Sequence, residues 1–285
     1  MISIIIVAWQ VRDLLKRCLE TILANEKNVN FEIIVIDNNS SDATEDLIKN
    51  NFPQLTYLKL NQNHGFAYAC NLGAGIAKGD YLLFLNPDTW WTEPILEKVG
   101  NYYRNLKNPG ALGIKILNPD KTIQPWVRKL PDLFSQIIIL LKLQVISKKL
   151  LKNYLVLNFD YQENSPVEQI IGAFFFIKKD VFTAIGKFDD NFFIWFEEVD
   201  LCRRLLQAGY KNYYYQQAFI NHQGEASFQQ MENLKKQLIF NRSLLYYFKK
   251  NHNFLNYWLL LTIIPVNLLL TLIISLLKIK IRHYL

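Results

Sequence analysis

The chain opens on an apolar run, Met1 to Ala8, broken only by Ser3, and similar runs recur along it. Apolar runs without alternation predict strands buried on both faces, as in a parallel sheet. After the first run, Leu14, Leu15, Cys18, Leu19, Ile22 and Leu23 recur at helical spacing. Phe31 to Ile36 predicts a second strand, closed by the polar turn Asp37-Asn38-Asn39-Ser40-Ser41-Asp42. Ser41 or Asp42 is placed to cap a helix running through Leu47 and Ile48. Leu55 to Leu60 predicts a third strand, Asn61 to Gly65 a turn, and Phe66 to about Ala77 a helix of small residues. Tyr81 to Leu85 is a fourth strand that stops at Asn86-Pro87-Asp88. This strand–helix alternation predicts an α/β fold, a Rossmann-like, doubly wound and mainly parallel sheet. Ligands bind beyond the carboxyl ends of such strands. The second and fourth strands both end there in Asp-bearing turns, which implies a shared site. Asn, Pro and Asp are also ordinary turn residues, so the pattern alone leaves a plain turn open at 86–88.

Past Asp88 the pattern loosens. Glu93 to Asn105 reads as a helix and Leu112 to Leu117 as a strand. Leu133 to Leu155 mixes apolar residues with Lys142, Lys148, Lys149 and Lys152. Such a basic amphipathic segment lies at a membrane surface, or packs on the main domain with its lysines in water. Glu168 to Ile177 is strand-like and Asp180 to Ile185 helical. An aromatic run then leads into Glu197-Glu198-Val199-Asp200, where a helix begins. Acids in a first turn suit the helix dipole. An aromatic surround also raises a carboxylate's pKa, as a general base near neutrality requires. His222 follows the strand-like Tyr213 to Tyr215 and reads as structural or as a ligand.

The tail is helical from Phe240, and Leu255 to Leu277 is apolar for about twenty residues, enough to cross a bilayer. Lys249 and Lys250 precede it; Lys278, Lys280 and Arg282 follow. A single span would put one basic cluster outside, against the positive-inside tendency. A hairpin bent at Pro265 would keep both clusters in the cytoplasm beside anionic lipid. Either way the tail reads as membrane-attached.

With 285 residues, 51% of them hydrophobic and 14% aromatic, the chain can bury a large core, which excludes global disorder. A net charge of +7 suits an anionic partner: a nucleic acid, an anionic substrate or a lipid surface. The basic residues cluster around apolar segments, which favours a membrane surface over nucleic acid. Cys18, Cys70 and Cys202 are isolated and lack metal-site spacing, as expected of reduced core residues in a cytoplasmic protein. The first apolar run lacks a basic leader and is too short for a signal peptide. No GxGxxG or GxxxxGK[ST] occurs, so dinucleotide and P-loop readings lack their glycines.

Taken together, Asp37 to Asp42, Asn63-His64-Gly65-Phe66-Ala67, Asn71-Leu72-Gly73, Gly79 to Thr89, Gly172-Ala173, Gly186 to Asp189, Glu197 to Leu201 with Arg204, and His222 occur in a specific order and spacing. In these residues the chain resembles the GT-A fold, family 2 inverting glycosyltransferases, in their rhamnosyltransferase-like branch. The resemblance covers roughly the first 225 residues. It implies a GT-A catalytic domain at 1–225, with a donor half at about 1–117, an acceptor half at about 165–225 and an amphipathic insert at about 130–157. A helical tail, 226–285, carries the hydrophobic segment 255–277.

The resemblance also implies roles. Ala8, Trp9, Asp37, Asn39, Asn63, Gly65 and Asn86 would bind the nucleotide diphosphate sugar, Trp9 stacking on the base and Asn86 bonding the ribose. Asp88 and His222 would hold Mg²⁺ or Mn²⁺. Glu198 would be the general base, with Glu197 as the other candidate, since Glu-Glu stands in place of the family's Glu-Asp. Gly172 and Ala173 would leave room for the acceptor sugar, Trp195 would stack on it, and Asp200 with Arg204 would form an ion pair. Cys70 stands where some relatives carry a donor-binding Arg. The implied reaction moves a rhamnosyl or other hexosyl group to a polysaccharide or lipid-linked acceptor at the cytoplasmic face of the inner membrane. Two other readings are a nucleotidyltransferase, whose Gly-rich loop after the first strand is missing at Trp9-Gln10-Val11-Arg12, and a membrane-anchored sugar-nucleotide binding protein without catalysis.

Overall fold

The computed structural model describes residues 1–224 and 232–277. The first half runs β1 (Ile2–Ala8), α1 (Arg12–Asn25), β2 (Phe31–Asp37), α2 (Thr44–Asn51), β3 (Thr56–Lys59), α3 (Phe66–Ile76) and β4 (Tyr81–Leu85). The second half continues with β5 (Thr89–Trp90), α4 (Leu96–Arg104), β6 (Pro109–Leu117), α5 (Leu133–Leu140), β7 (Ser165–Val167), β8 (Phe174–Lys178), α6 (Lys179–Ala184), α7 (Glu197–Gln207) and β9 (Lys211–His222). Two long helices close the described chain: α8 (Asn233–Asn251) and α9 (Phe254–Leu276).

Strands β3, β2, β1 and β4 are parallel, in that order, as the apolar runs predict. The sheet then continues through β8, β6, β9 and β5, with β7 on the far side of β9. It is mixed there: β8 is antiparallel to both β4 and β6, while β6 and β9 are parallel. β4 is central because all its core positions are apolar: Leu82, Leu83, Phe84 and Leu85 have no exposed surface. Burying each such side chain contributes roughly 1.5–3 kcal/mol. Phe84 meets the rings of Phe182 and Phe188 at 5.0 and 4.9 Å, which ties the strand to the loop after α6. A second apolar cluster joins α5, α8 and the start of α9 through Ile138, Leu140, Phe240, Leu244 and Leu260.

The structure departs from the sequence expectations in four places. Neither Ser41 nor Asp42 caps the backbone of α2: Ala43 occupies the cap with φ 60°, and toward α2 Asp42 accepts only the Thr44 hydroxyl, at 2.6 Å. The other Asp42 oxygen accepts the backbone N–H of Arg12 at 2.8 Å, closing the start of α1. The strand expected over 168–177 is two pieces, β7 and β8, separated by the loop that carries Gly172. The basic segment 133–155 is one short helix, α5, followed by 3₁₀ turns at Leu143–Val145 and Lys148–Leu151. Finally, Pro265 does not bend the tail into a hairpin, because α9 continues through it. A proline removes one helical hydrogen bond and kinks a helix without ending it when the flanking turns are packed. The chain reverses earlier, at His252-Asn253, where Asn253 caps α9 by accepting Asn256 N–H. Lys278, Lys280 and Arg282 lie outside the described residues.

Candidate active site

Three groups of residues gather beyond the carboxyl ends of β1, β2 and β4. In the first, Ala8 and Asp37 are paired in register at the ends of β1 and β2. Asp37 is fully buried; one oxygen accepts Ser40 N–H at 2.7 Å and the other the Tyr57 hydroxyl at 2.7 Å. The carboxylate therefore holds the shape of its turn. Asn39 stands exposed at the turn's crest with φ 68°, and Trp9 is half-buried beside it in sequence order after Ala8.

Asn38, buried, donates to Gly65 O at 2.9 Å and accepts His64 N–H at 3.0 Å, so the 37–42 turn and the turn before α3 form one unit. Asn63 accepts Gly65 N–H at 2.9 Å. Gly65 has φ 91°, and a Cβ there would lie 2.2 Å from Phe193 O. Only glycine permits that approach. It lets Phe66 N–H reach Phe193 O at 2.7 Å. Asn71 adds two bonds to the Phe188 backbone, accepting at 3.1 Å and donating at 2.8 Å. The turns at 37–42 and 61–65 and the start of α3 are thereby stitched to residues 188–193.

The second group surrounds Asp88, which is 7% exposed. Thr89 and His222 face each other where β5 pairs with β9. That pairing brings His222 Nε2 to 3.2 Å from Asp88 Oδ1, with no hydrogen-bond partner of its own. Nδ1 meets Gln124 Oε1 at 2.8 Å. An amide oxygen only accepts, so Nδ1 carries a proton. Nε2 then faces the carboxylate, a contact that suits either a proton on Nε2, which makes it an ion pair, or a cation shared by the two groups. One carboxylate and one imidazole suit a divalent ion whose other positions go to phosphate oxygens. Among the described residues no cluster of three His, Cys, Asp or Glu forms. Asn86, half-buried, donates its N–H to Ala173 O at 3.3 Å.

The third group begins one residue from that contact. A Cβ on Gly172 would meet Glu198 Oε1 at 2.3 Å, so the carboxylate packs against the bare glycine backbone. Trp195 and Phe196 both adopt the left-handed conformation, φ 66° and 70°, and turn the chain into α7. Such residues cost of order 1–3 kcal/mol each and concentrate at functional sites. Glu197 then points inward, 1% exposed, with Oε2 unpartnered. Burial and then the charge of Glu198 hold its pKa well above the carboxylate range. Glu198 is half-buried, and burial pushes its pKa up to about 7 against the pull of the N–H groups of Glu198 and Gly172.

Trp195 is half-buried and packs edge-on against Phe240 at 6.0 Å. Cys70 is buried, its thiol pKa raised by burial and by Glu197 and Glu198. Asp200 pairs with Arg204 at 2.8 Å, as the helical spacing predicts, and also with Lys250 of α8 at 3.0 Å.

The structure thus brings Asp88 together with His222, and Glu198 with Gly172. Asn86 and Ala173 form the link between the two groups. Asn38, Tyr57, Asn71 and Gln124 serve the site without having been singled out from the sequence. Asn38 and Asn71 sat inside recognisable motifs, whereas nothing local marks Tyr57 or Gln124.

Known proteins resemble this chain in sequence and in fold. The family model described as glycosyl transferase family 2 matches residues 3–184. An N-acetylglucosaminyl-diphospho-decaprenol L-rhamnosyltransferase of Mycobacterium tuberculosis is 26% identical over 215 residues, covering 70% of this chain and 68% of that protein. Rhamnosyltransferase WbbL of Escherichia coli is 27% identical over 222 residues, 75% of this chain and 80% of the relative. Among solved structures, that of GalNAc-T7 with UDP, GalNAc and Mn²⁺ superposes with a TM-score of 0.58 at 17% identity. It covers 78% of this chain, which spans 43% of that protein's chain, and it establishes the GT-A-like fold alone.

Proposed function

The chain belongs to glycosyl transferase family 2 and is a glycosyltransferase; from that premise we propose that it moves a hexosyl or deoxyhexosyl group, with inversion, from a nucleotide diphosphate sugar to a lipid-linked or polysaccharide acceptor. The rhamnosyltransferase names of its two relatives favour rhamnose and a diphospholipid-linked acceptor. The observation that carries the reading is Glu198, a carboxylate poised at about pH 7 and seated against Gly172. Inversion needs one base on the acceptor side, removing the proton of the attacking hydroxyl as the diphosphate departs opposite. Glu198 takes that proton at Oε1 or Oε2. Glu197 is sealed away from solvent, with its pKa raised by burial and then by Glu198, and is the less accessible of the two.

At the donor end, the 37–42 turn with Ala8, Trp9, Asn39, Asn63 and Gly65 receives the nucleotide, and Asn86 bonds the ribose. Asp37 holds that turn through Ser40 and Tyr57, and each of its oxygens keeps a further lone pair to accept a hydrogen bond from the donor's base. Asp88 and His222 are the residues that would hold Mg²⁺ or Mn²⁺, whose charge would offset the negative charge on the leaving diphosphate. Gly172 and Ala173 leave the acceptor sugar space beside Glu198, and Trp195 offers it the part of its ring not covered by Phe240. The tail attaches the enzyme to the cytoplasmic face of the inner membrane, where lipid-linked acceptors are presented.

Two variants test this. Glu198→Gln and Asp88→Ala should each lose transfer by about 10²–10⁴-fold while keeping the wild-type circular dichroism spectrum. Transfer by the Glu198→Gln protein at the wild-type rate excludes Glu198 as the base.

A further inference from the structure

Helix α9 has its polarity inverted. Its buried positions are Leu260, Asn267 and Thr271, while Leu255, Trp258, Leu259, Leu269, Leu272 and Ile273 are exposed. A helix on the surface of a protein in water shows the opposite arrangement. The buried polar groups form a connected ladder. Asn267 donates to Leu140 O of α5 at 2.7 Å and accepts from Asn241 of α8 at 2.9 Å. Asn241 accepts from Gln237 at 2.9 Å, and Lys142 donates to Gln237 at 2.6 Å. These bonds settle the rotation of α9, with polar groups toward the protein and apolar groups away from it.

They also settle what accompanies α9. Gln237 meets Thr271, and Asn241 meets Asn267, so α8 lies antiparallel beside the later part of α9 as well as its start. α8 carries Lys235, Arg242 and Lys249 at exposed positions. Were α9 to cross a bilayer, α8 would be drawn in beside it and these cations would enter the hydrocarbon, which is costly. An in-plane seat avoids this, leaving α8 on the water side.

A second exposed apolar surface follows α5, the helix against which α9 packs. The 3₁₀ turns after α5 expose Val145, Ile146 and Leu150, Ile146 at 82%, beside exposed Lys149 and Lys152. Apolar side chains interleaved with lysines suit anionic lipid. The same lysines, on a chain of net charge +7, disfavour a second copy of this protein as the occupant.

We propose that α9 lies in the plane of an anionic bilayer without crossing it, its outer face among the acyl chains, and that residues 145–152 form a second lipid contact. This rests on the membrane attachment proposed above and specifies its geometry.

The test adds the purified full chain to preformed vesicles of phosphatidylcholine with or without phosphatidylglycerol. Single cysteines are introduced as Phe254→Cys, Leu269→Cys and Leu277→Cys; the native cysteines are buried. On bound protein a membrane-impermeant maleimide applied from outside should label Phe254→Cys and Leu277→Cys, at the two ends of the lipid face, more slowly than without vesicles but equally before and after permeabilisation, and Leu269→Cys only without vesicles. Leu277→Cys that reacts only after the vesicles are permeabilised overturns the in-plane seat. Ile146→Glu and Leu269→Glu should each weaken binding to anionic vesicles by about tenfold or more. Undiminished binding of Ile146→Glu removes the second contact. If the wild-type chain ignores anionic vesicles, or sediments as an oligomer that hides α9, the seat and the attachment both fall. Transfer to a water-soluble acceptor, measured in the same samples, reports separately on the transferase reading.

Discussion

Glu197 and Glu198 are adjacent in one turn of α7 yet meet different surroundings, and that difference assigns their work. Glu198's pKa of about 7 lies above its ordinary 4.5, so the folded protein binds this proton more tightly than the unfolded chain does. The stability gained is complete below about pH 4.5 and is lost as the pH rises through about 7. With Glu198 as the proposed base, catalysis runs the other way, because a base must be ionised. Transfer should therefore increase across the interval in which the protein becomes less stable. Glu198→Gln should flatten this dependence and raise the melting temperature at about pH 8 relative to wild type, while transfer is lost. Melting curves at about pH 5 and pH 8 check it. Gln124 offers a second residue-scale prediction. Its carbonyl orients His222, and orienting partners of this kind affect metal affinity by about 10–100-fold. Gln124→Ala should raise by that factor the Mn²⁺ concentration giving half-maximal thermal stabilisation, with the apo protein's melting temperature little changed.

Among the elements, the join between the start of α3 and the loop at 188–193 includes a close backbone approach at Gly65. Gly65→Ala would place a methyl group 2.2 Å from Phe193 O at a residue with φ 91°. It should lower stability by roughly 2–4 kcal/mol in urea unfolding and raise the KM for the donor, since the 37–42 turn leans on the same residue. The elements of the parallel half were legible because long apolar runs and helical spacing are local signals; β4 begins and ends where the sequence places it. The site was legible at Asp88, Glu198 and Gly172, which sit in compact motifs. Gln124 was not, because its role arises only when the turn after β6 folds back, Gln124 N–H reaching Ile116 O, and β6 pairs with β9 to set it beside His222. The N-cap of α2 was misjudged for a similar reason: Asp42 serves α1, thirty positions away in the chain, as Arg12 N–H shows. Pro265 misled because a proline's local preference was weighed without the packing of α5 and α8 around it.

For the molecule as a whole, the ladder from Lys142 through Gln237 and Asn241 to Asn267 joins the catalytic domain's insert to the tail. The second apolar cluster continues from there to Trp195 and Phe196, the two left-handed residues that aim Glu198. The proposed membrane seat and the proposed base thus belong to one packed body. Charging the seat with Leu269→Glu should reduce transfer to a lipid-linked acceptor by about tenfold or more and leave transfer to a water-soluble analogue unchanged. The outward apolar face of α9 has one further effect, on how substrate supply is counted. An enzyme held at a surface meets its acceptor by lateral diffusion in two dimensions. Its rate then follows the mole fraction of acceptor in the bilayer and falls when inert lipid is added, even though the bulk concentration of acceptor stays the same.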